Sequence, residues 1–235
     1  FGADIKIKNE INKKIISING NVELKSKNIL VPSDLSSSSF LIVAALINKN
    51  SKINIENINI NPSRDGILRA LKLMQADITI YNRREINGEM IADIVAQSSK
   101  LKGCVLEADM AKLMIDEYPI LAIAASFAET PSIFRGLSEL KVKESNRLEL
   151  IKINLINCGI DCNVSNDDLY INPSNKKLMK NSIIRTDFDH RIAMAFAILG
   201  SLVDNNIKIL DSESINTSFP KFTELFNKVG GKIIG

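Results

Sequence analysis

The feature that most constrains this 235-residue chain is a pattern that recurs three times. A β-like segment leads to an Asp near a helix start. An Ala-rich apolar helix follows, then a second strand and a second helix, which ends at a small-residue turn before a further β-like segment. The first pass uses residues 28–31, Asp34, then 36–47, 52–55, 65–74 and 75–80. The second uses 104–107, Asp116, then 117–128, 131–134, 144–157 and 158–162. The third uses 182–185, Asp189, then 190–202, 206–210, 220–228 and 230–234. The three Asp residues stand 82 and 73 positions apart, so the period is loose and the loops differ. Each unit of such a chain buries its apolar face only against its neighbours, which makes the units parts of one core.

Local chemistry supports the helices. Ser33, Asp34 and the 36–39 serine run offer capping oxygens ahead of Phe40, Leu41, Val43 and Ala44. Pro119 and Pro220 suit first helical turns. Gly159 and Gly230 suit the left-handed residue that ends a helix. Residues 52–55 and 207–210 alternate polar and apolar, as half-buried strands do. Residues 120–127 are apolar nearly all round, so that helix belongs inside. The expectation is an α/β fold with helices 36–47, 117–128 and 190–202 packed together internally. The N-terminus fits the same pattern: Phe1-Gly2-Ala3-Asp4-Ile5-Lys6-Ile7 matches Met74-Gln75-Ala76-Asp77-Ile78-Thr79-Ile80, the tail of a unit. The chain is therefore expected to begin where an earlier unit finishes, as a piece of a longer polypeptide.

Composition narrows the partners. A net charge of +3, 5% aromatics and no Trp argue against nucleic acid. No apolar run approaches the ~18 residues of a membrane span, and no signal peptide is evident. Three cysteines are an odd, low count that suits a reducing cytoplasm. Cys158 and Cys162 lack further Cys or His neighbours, which argues against zinc.

The repeats also assemble chemistry. Threefold repetition brings three helix N-termini to one side, each carrying roughly +0.5 charge and free N–H groups for an anion. The residues there are Ser33-Asp34, Asp116-Glu117 and Asp189-His190-Arg191. The charged stretch 140–150 adds Lys143, Glu144 and Arg147. A helix starting at Lys143 would put Lys143 and Arg147 on one face, repelling by about 0.2–0.5 kcal/mol. Glu144 offsets part of that, and a bound anion would offset the rest. Alone, each residue reads blandly: the acids as helix caps, His190 as a structural hydrogen-bonder, Arg191 as a surface cation. Their placement at equivalent points of repeated units favours a site. Carboxylates beside Lys, Arg and the only His suit acid–base chemistry on an anionic substrate.

Six segments then carry a resemblance. Leu140-Lys141-Val142-Lys143-Glu144-Ser145-Asn146-Arg147 resembles the R-V-K-E-S/T-D-R motif of the 5-enolpyruvylshikimate-3-phosphate synthase family. Asp189-His190-Arg191-Ile192-Ala193-Met194 is similar to its D-H-R-[IM]-A-M motif, and Ile115-Asp116-Glu117-Tyr118-Pro119 to its I-D-E-x-P segment. Val31-Pro32-Ser33-Asp34, Asn61-Pro62-Ser63-Arg64 and Ser218-Phe219-Pro220 resemble three further motifs in the family's order. The resemblance implies an α/β (α+β) enolpyruvyl transferase domain of three βαβαββ units with internal helices, approximately 28–100, 101–175 and 176–235. Residues 1–27 would be the tail of the preceding unit and the crossover from a missing first domain, and 28–235 the second domain. The family's first-domain motifs have no counterpart here.

The implied reaction joins phosphoenolpyruvate to the 5-hydroxyl of shikimate 3-phosphate and releases phosphate, with the missing N-terminal domain as the other wall of the site. Glu144 would be the acid–base residue for the methylene carbon. Asp116 would bind and deprotonate the hydroxyl, and Lys143 would bridge the substrates. Arg147 and Arg191 would hold phosphoenolpyruvate, supported by His190. No cofactor or metal is implied, and the isolated piece is expected to be inactive. Departures from the family pattern are Asn146 for Asp, Thr217 for Lys, Glu139 for Asn and Ser33 for Gly. Rival readings are a UDP-N-acetylglucosamine enolpyruvyl transferase-like enzyme and an inactive α/β binding module.

Overall fold

Asn12, at φ 71°, closes a tight turn between β1 (Ile5–Glu10) and β2 (Lys13–Ile18), a left-handed position that Asn tolerates. This antiparallel hairpin sets Ile5 opposite Ile18 and Ile7 opposite Ile16. It belongs to a compact unit, Phe1–Val31, separate from the unit Pro32–Gly235. The structure, a computed structural model, describes residues 1–173, 178–202 and 206–234. The expected boundary between the second and third repeats, at 175/176, lies outside the described residues.

The larger unit repeats one order of elements. Its first pass holds α1 (Leu35–Ile47), β3 (Lys52–Asn59), α2 (Gly66–Leu73), β4 (Asp77–Ile86) and β5 (Glu89–Gln97). Its second holds β6 (Val105–Leu106), α3 (Ala111–Met114), α4 (Tyr118–Ser126), β7 (Ser132–Phe134), α5 (Arg147–Asn157), β8 (Asp161–Ser165) and β9 (Asp168–Asn172). Its third holds β10 (Ile183–Ile184), α6 (His190–Gly200), β11 (Lys208–Ile209) and α7 (Phe222–Lys228). Each pass opens with a parallel pairing across a helix: Ser33 with Ile58, β6 with β7, β10 with β11. An antiparallel hairpin then completes the first two, giving strand orders β3-β5-β4 and β6-β7-β9-β8. No strand follows α7 among the described residues.

Two expected elements are corrected. Residues 28–31 are exposed and form no strand. The edge they would pair with is taken by Ser33, through Ser33 N–H to Asn57 O (2.8 Å) and Asn59 N–H to Ser33 O (2.9 Å). Pro32 has no N–H to carry that ladder backwards. The second correction concerns α5, which begins at Arg147 rather than at Lys143 or Glu144. Asn146 is its N-cap and accepts from Glu149 N–H at 3.2 Å, the role that Asn side chains fill well. Lys143 is extended, at φ −80° and ψ −155°, so Lys143 and Arg147 do not share a helix face.

The centre is apolar. Helices α1, α4 and α6 pack against one another, and every residue of α4 is buried. Fully burying a side chain such as Leu121 or Phe196 contributes about 1.5–3 kcal/mol. Gly159, at φ +82°, turns the chain out of α5 into β8. Among the described residues no helix is long and apolar enough to cross a membrane.

Candidate active site

The site is built where α4, α5 and α6 begin. Asp189 caps α6, its Oδ1 accepting from Arg191 N–H (2.9 Å) and Ile192 N–H (3.3 Å). Its Oδ2 accepts from Arg147 Nε (2.8 Å) and Ser145 Oγ (2.9 Å). Arg147, the first residue of α5, is 0% exposed. Its Nη1 reaches Asp116 Oδ1 at 3.0 Å and its Nη2 reaches Glu144 Oε2 at 2.5 Å. One guanidinium thus holds three carboxylates from three separate segments.

Asp116 lies in the 3-10 turn Ile115–Glu117 that leads into α4. Lys143 Nζ stands 3.3 Å from its Oδ1, and its backbone carbonyl accepts from Arg191 Nη1 at 3.1 Å. Burial opposes ionisation of Asp116, but Arg191, Lys143 and Arg147 outweigh it and hold the carboxyl below 3.8. His190 has its proton affinity lowered from 6.5 by burial, in the field of Asp189, Arg191, Arg147 and Glu144. The imidazole is therefore neutral at pH 7, able to exchange hydrogen bonds but not to add charge.

Of the six sequence candidates, the structure joins Asp116, Lys143, Glu144, Arg147 and Arg191 through hydrogen bonds and ion pairs, and sets His190 beside them, within the field of Asp189, Arg191, Arg147 and Glu144. Their exposure differs: Glu144 is 50% exposed at its side chain, against 14% for Arg191. Sequence reasoning set Glu117 beside Asp116 at a helix start but gave it no partner, and it missed Ser36 and Ser145 as polar partners of the site. Ser36 Oγ donates to Glu117 Oε1 across 81 positions of chain, a relation with no local signature. Ser145 sits inside the charged stretch, where its hydroxyl was the available signal. Thr217 Oγ1 is engaged with Ser214 O at 2.7 Å, and Glu139 lies in the 3-10 turn Ser138–Val142.

A concavity of about 1040 Å³ lies elsewhere, bordered by α1, α6, β11 and the residues after α7, and lined by none of the six. It gathers no comparable cluster of paired charges, so the chemistry points to the helix starts. Among the described residues no group of three or more His, Cys, Asp or Glu is placed to hold a metal ion.

A family model described as EPSP synthase (3-phosphoshikimate 1-carboxyvinyltransferase) matches residues 1–226. The 3-phosphoshikimate 1-carboxyvinyltransferase of Chelativorans sp. strain BNC1 is 45% identical over 236 residues, covering 99% of this chain and 52% of the relative. That of Paramagnetospirillum magneticum is 42% identical, covering 100% of this chain and 53% of the relative. A solved EPSP synthase from Acinetobacter baumannii superposes with a TM-score of 0.91 at 40% identity, over 99% of this chain and 53% of that one. The enolpyruvyl transferase NikO from Streptomyces tendae, at TM-score 0.70 and 16% identity over 98% of this chain and 50% of that one, shares the fold. The chain spans about half the length of the curated relatives it matches. A family-model match over residues 1–226, identity above 40% to curated relatives and a common fold agree: the chain belongs to the EPSP synthase family.

Proposed function

We propose that this chain carries one half of the site of a 3-phosphoshikimate 1-carboxyvinyltransferase. Residues 1–27 are then the tail of a preceding unit and the crossover, and 28–235 the second domain. The enolpyruvyl group passes from phosphoenolpyruvate to the 5-hydroxyl of shikimate 3-phosphate, and phosphate leaves. The observation that carries this reading is the convergence of Lys143, Arg147 and Arg191 on Asp116, in a chain of this family.

Each residue has a task. Asp116 stays ionised and accepts a hydrogen bond from the shikimate hydroxyl, taking its proton as the oxygen attacks and becomes acidic. Glu144 acts as acid and then as base. It delivers a proton to the methylene carbon, which makes C2 electrophilic. It then takes one back from the resulting methyl group as the bond from C2 to the phosphate oxygen breaks, so that the enol ether forms and phosphate leaves with the proton Asp116 took from the hydroxyl. The position of Glu144 on an irregular segment with a half-exposed side chain lets it turn from Arg147 towards substrate. Lys143 bridges the two substrates. Arg147 and Arg191 hold phosphoenolpyruvate, whose carboxylate takes the place Glu144 occupies on Arg147. Neutral His190 supports them by hydrogen bonding.

The other wall comes from a first domain on the remainder of the enzyme, in the cytoplasm. Three unpaired cysteines support that setting, Cys158 and Cys162 buried and Cys104 partly so. Without that wall the two substrates are not held in contact, and orientation accounts for about 7–11 kcal/mol of such a barrier. Phosphate release from both substrates should be near background for the 235 residues alone. Mixing with a separately produced first half should restore it, with shikimate 3-phosphate and not UDP-N-acetylglucosamine as acceptor. No release in the mixture, or release with only the amino sugar, would overturn the reading.

A further inference from the structure

Glu117 has no part in that chemistry, yet its side chain is only 2% exposed at the junction of three helices. It directly precedes α4. Its Oε1 accepts from Ser36 Oγ at the start of α1 and stands 3.7 Å from Arg191 Nη1 at the start of α6. The same Nη1 donates to the Asp116 carbonyl at 3.1 Å. One corner of the Arg191 guanidinium is thus fixed by two consecutive residues of the turn before α4. Among the described residues its Nε and Nη2 have no hydrogen-bond partner, leaving an open edge of the fork.

A carboxylate withdrawn from water is unfavourable unless a cation and hydrogen bonds compensate it. Ser36 alone does not require one, because a glutamine oxygen would accept the same hydroxyl in the same space. The only cation within ion-pair distance of Glu117 is that of Arg191, among the described residues. A planar fork anchored at one corner presents the rest to a carboxylate or phosphate with its orientation already set.

We infer that Glu117, held by Ser36, is a positioning residue that aims the open edge of Arg191 at the anionic group of the substrate. This rests on the proposed role of Arg191 in binding phosphoenolpyruvate. Burial, set against Ser36 and Arg191, leaves the Glu117 carboxyl above its usual 4.5. Its charge therefore lowers the stability of the folded chain at neutral pH. A residue that only braced the fold would show the opposite.

The test uses Glu117→Gln and Ser36→Ala in the 235-residue chain. Three readouts are taken: the melting temperature, the side-chain 15N–1H signal of Arg191 assigned with Arg191→Lys, and titration with phosphoenolpyruvate. Glu117→Gln should melt at or above the parent temperature, shift the Arg191 signal towards that of a mobile arginine, and weaken phosphoenolpyruvate about tenfold. Ser36→Ala should move the signal in the same direction by less. A Glu117→Gln chain that keeps the Arg191 signal overturns the inference. So does one whose melting temperature falls in step with its affinity. If the parent chain alone binds no phosphoenolpyruvate, the titration is made on the chain reassembled with the first half; absence of binding there overturns the reading of Arg191 as its ligand, and the Arg191 signal alone then decides whether Glu117 positions it.

Discussion

Arg147 and Asp189 form an ion pair 2.8 Å apart with both side chains wholly withdrawn from solvent. The pair ties the first residue of α5 to the cap of α6. Removing one member strands the other charge in the core, which costs about 3–5 kcal/mol. Arg147→Leu is expected to lower the free energy of unfolding by about that amount, measured by urea titration. A loss below about 1 kcal/mol, the worth of a surface pair, would show that the pair contributes little to the fold.

Glu144 should behave in the opposite way. Its side chain is half exposed and lies outside any helix. Glu144→Gln should leave the urea midpoint nearly unchanged, while turnover of the reassembled enzyme falls roughly 10²–10⁴-fold, the usual contribution of a positioned acid or base. Restored turnover that ignores the substitution would remove Glu144 from its proposed role.

His190 gives a pH signature, and as the only histidine it can be assigned. Burial lowers its folded-state pKa from 6.5. The unfolded chain therefore takes up a proton near pH 6.5 that the folded chain resists. Stability should be unaffected by this group above pH 6.5, fall as pH drops from there to the folded value, and level off below it. Asp116 acts in a lower window: its depressed pKa contributes stability above 3.8 that is lost as pH falls through the folded value. His190→Gln should flatten the loss between pH 6.5 and the folded value in melts across pH. An unchanged slope there would assign it to other groups.

Gly103 tests the backbone under β6. A Cβ added there would stand 2.0 Å from Pro131 O and 2.2 Å from Thr130 O, both backbone atoms that cannot rotate away. Gly103→Ala should destabilise by about 1–3 kcal/mol through overpacking, seen as an earlier urea midpoint. An unshifted midpoint would mean that the loop carrying Pro131 yields.

Local signals carried most of what was legible in the sequence. Asp34 and Asp189 cap α1 and α6 as their Ser-rich and D-H-R contexts imply. The all-round apolar segment became the wholly buried α4. Asn146 was read as part of a motif rather than as the cap it is, which misplaced the start of α5. The strand β5 was harder to find because residues 91–96 are almost continuously apolar and give no period. Within that run Asp93 accepts from Asn57 N–H (2.9 Å), Asn82 Nδ2 (2.7 Å) and Arg84 Nη2 (3.1 Å). Asn57 and Asn82 are left-handed residues at register breaks in β3 and β4. Bulges pinned across a sheet, like the Ser36–Glu117 contact, arise from residues far apart in sequence, and no local pattern announces them.

The Arg147 hub has one further consequence. Its three carboxylates come from the turn before α4, the segment before α5 and the cap of α6, so no single element holds any useful fraction of the arrangement. Loosening α5 alone would release Asp116, Glu144 and Asp189 together. Occupancy by an anionic ligand and cohesion of the three helices are then thermodynamically linked. A ligand bound only to the intact arrangement, supplied at a hundred times its Kd, would add about 2.7 kcal/mol against unfolding.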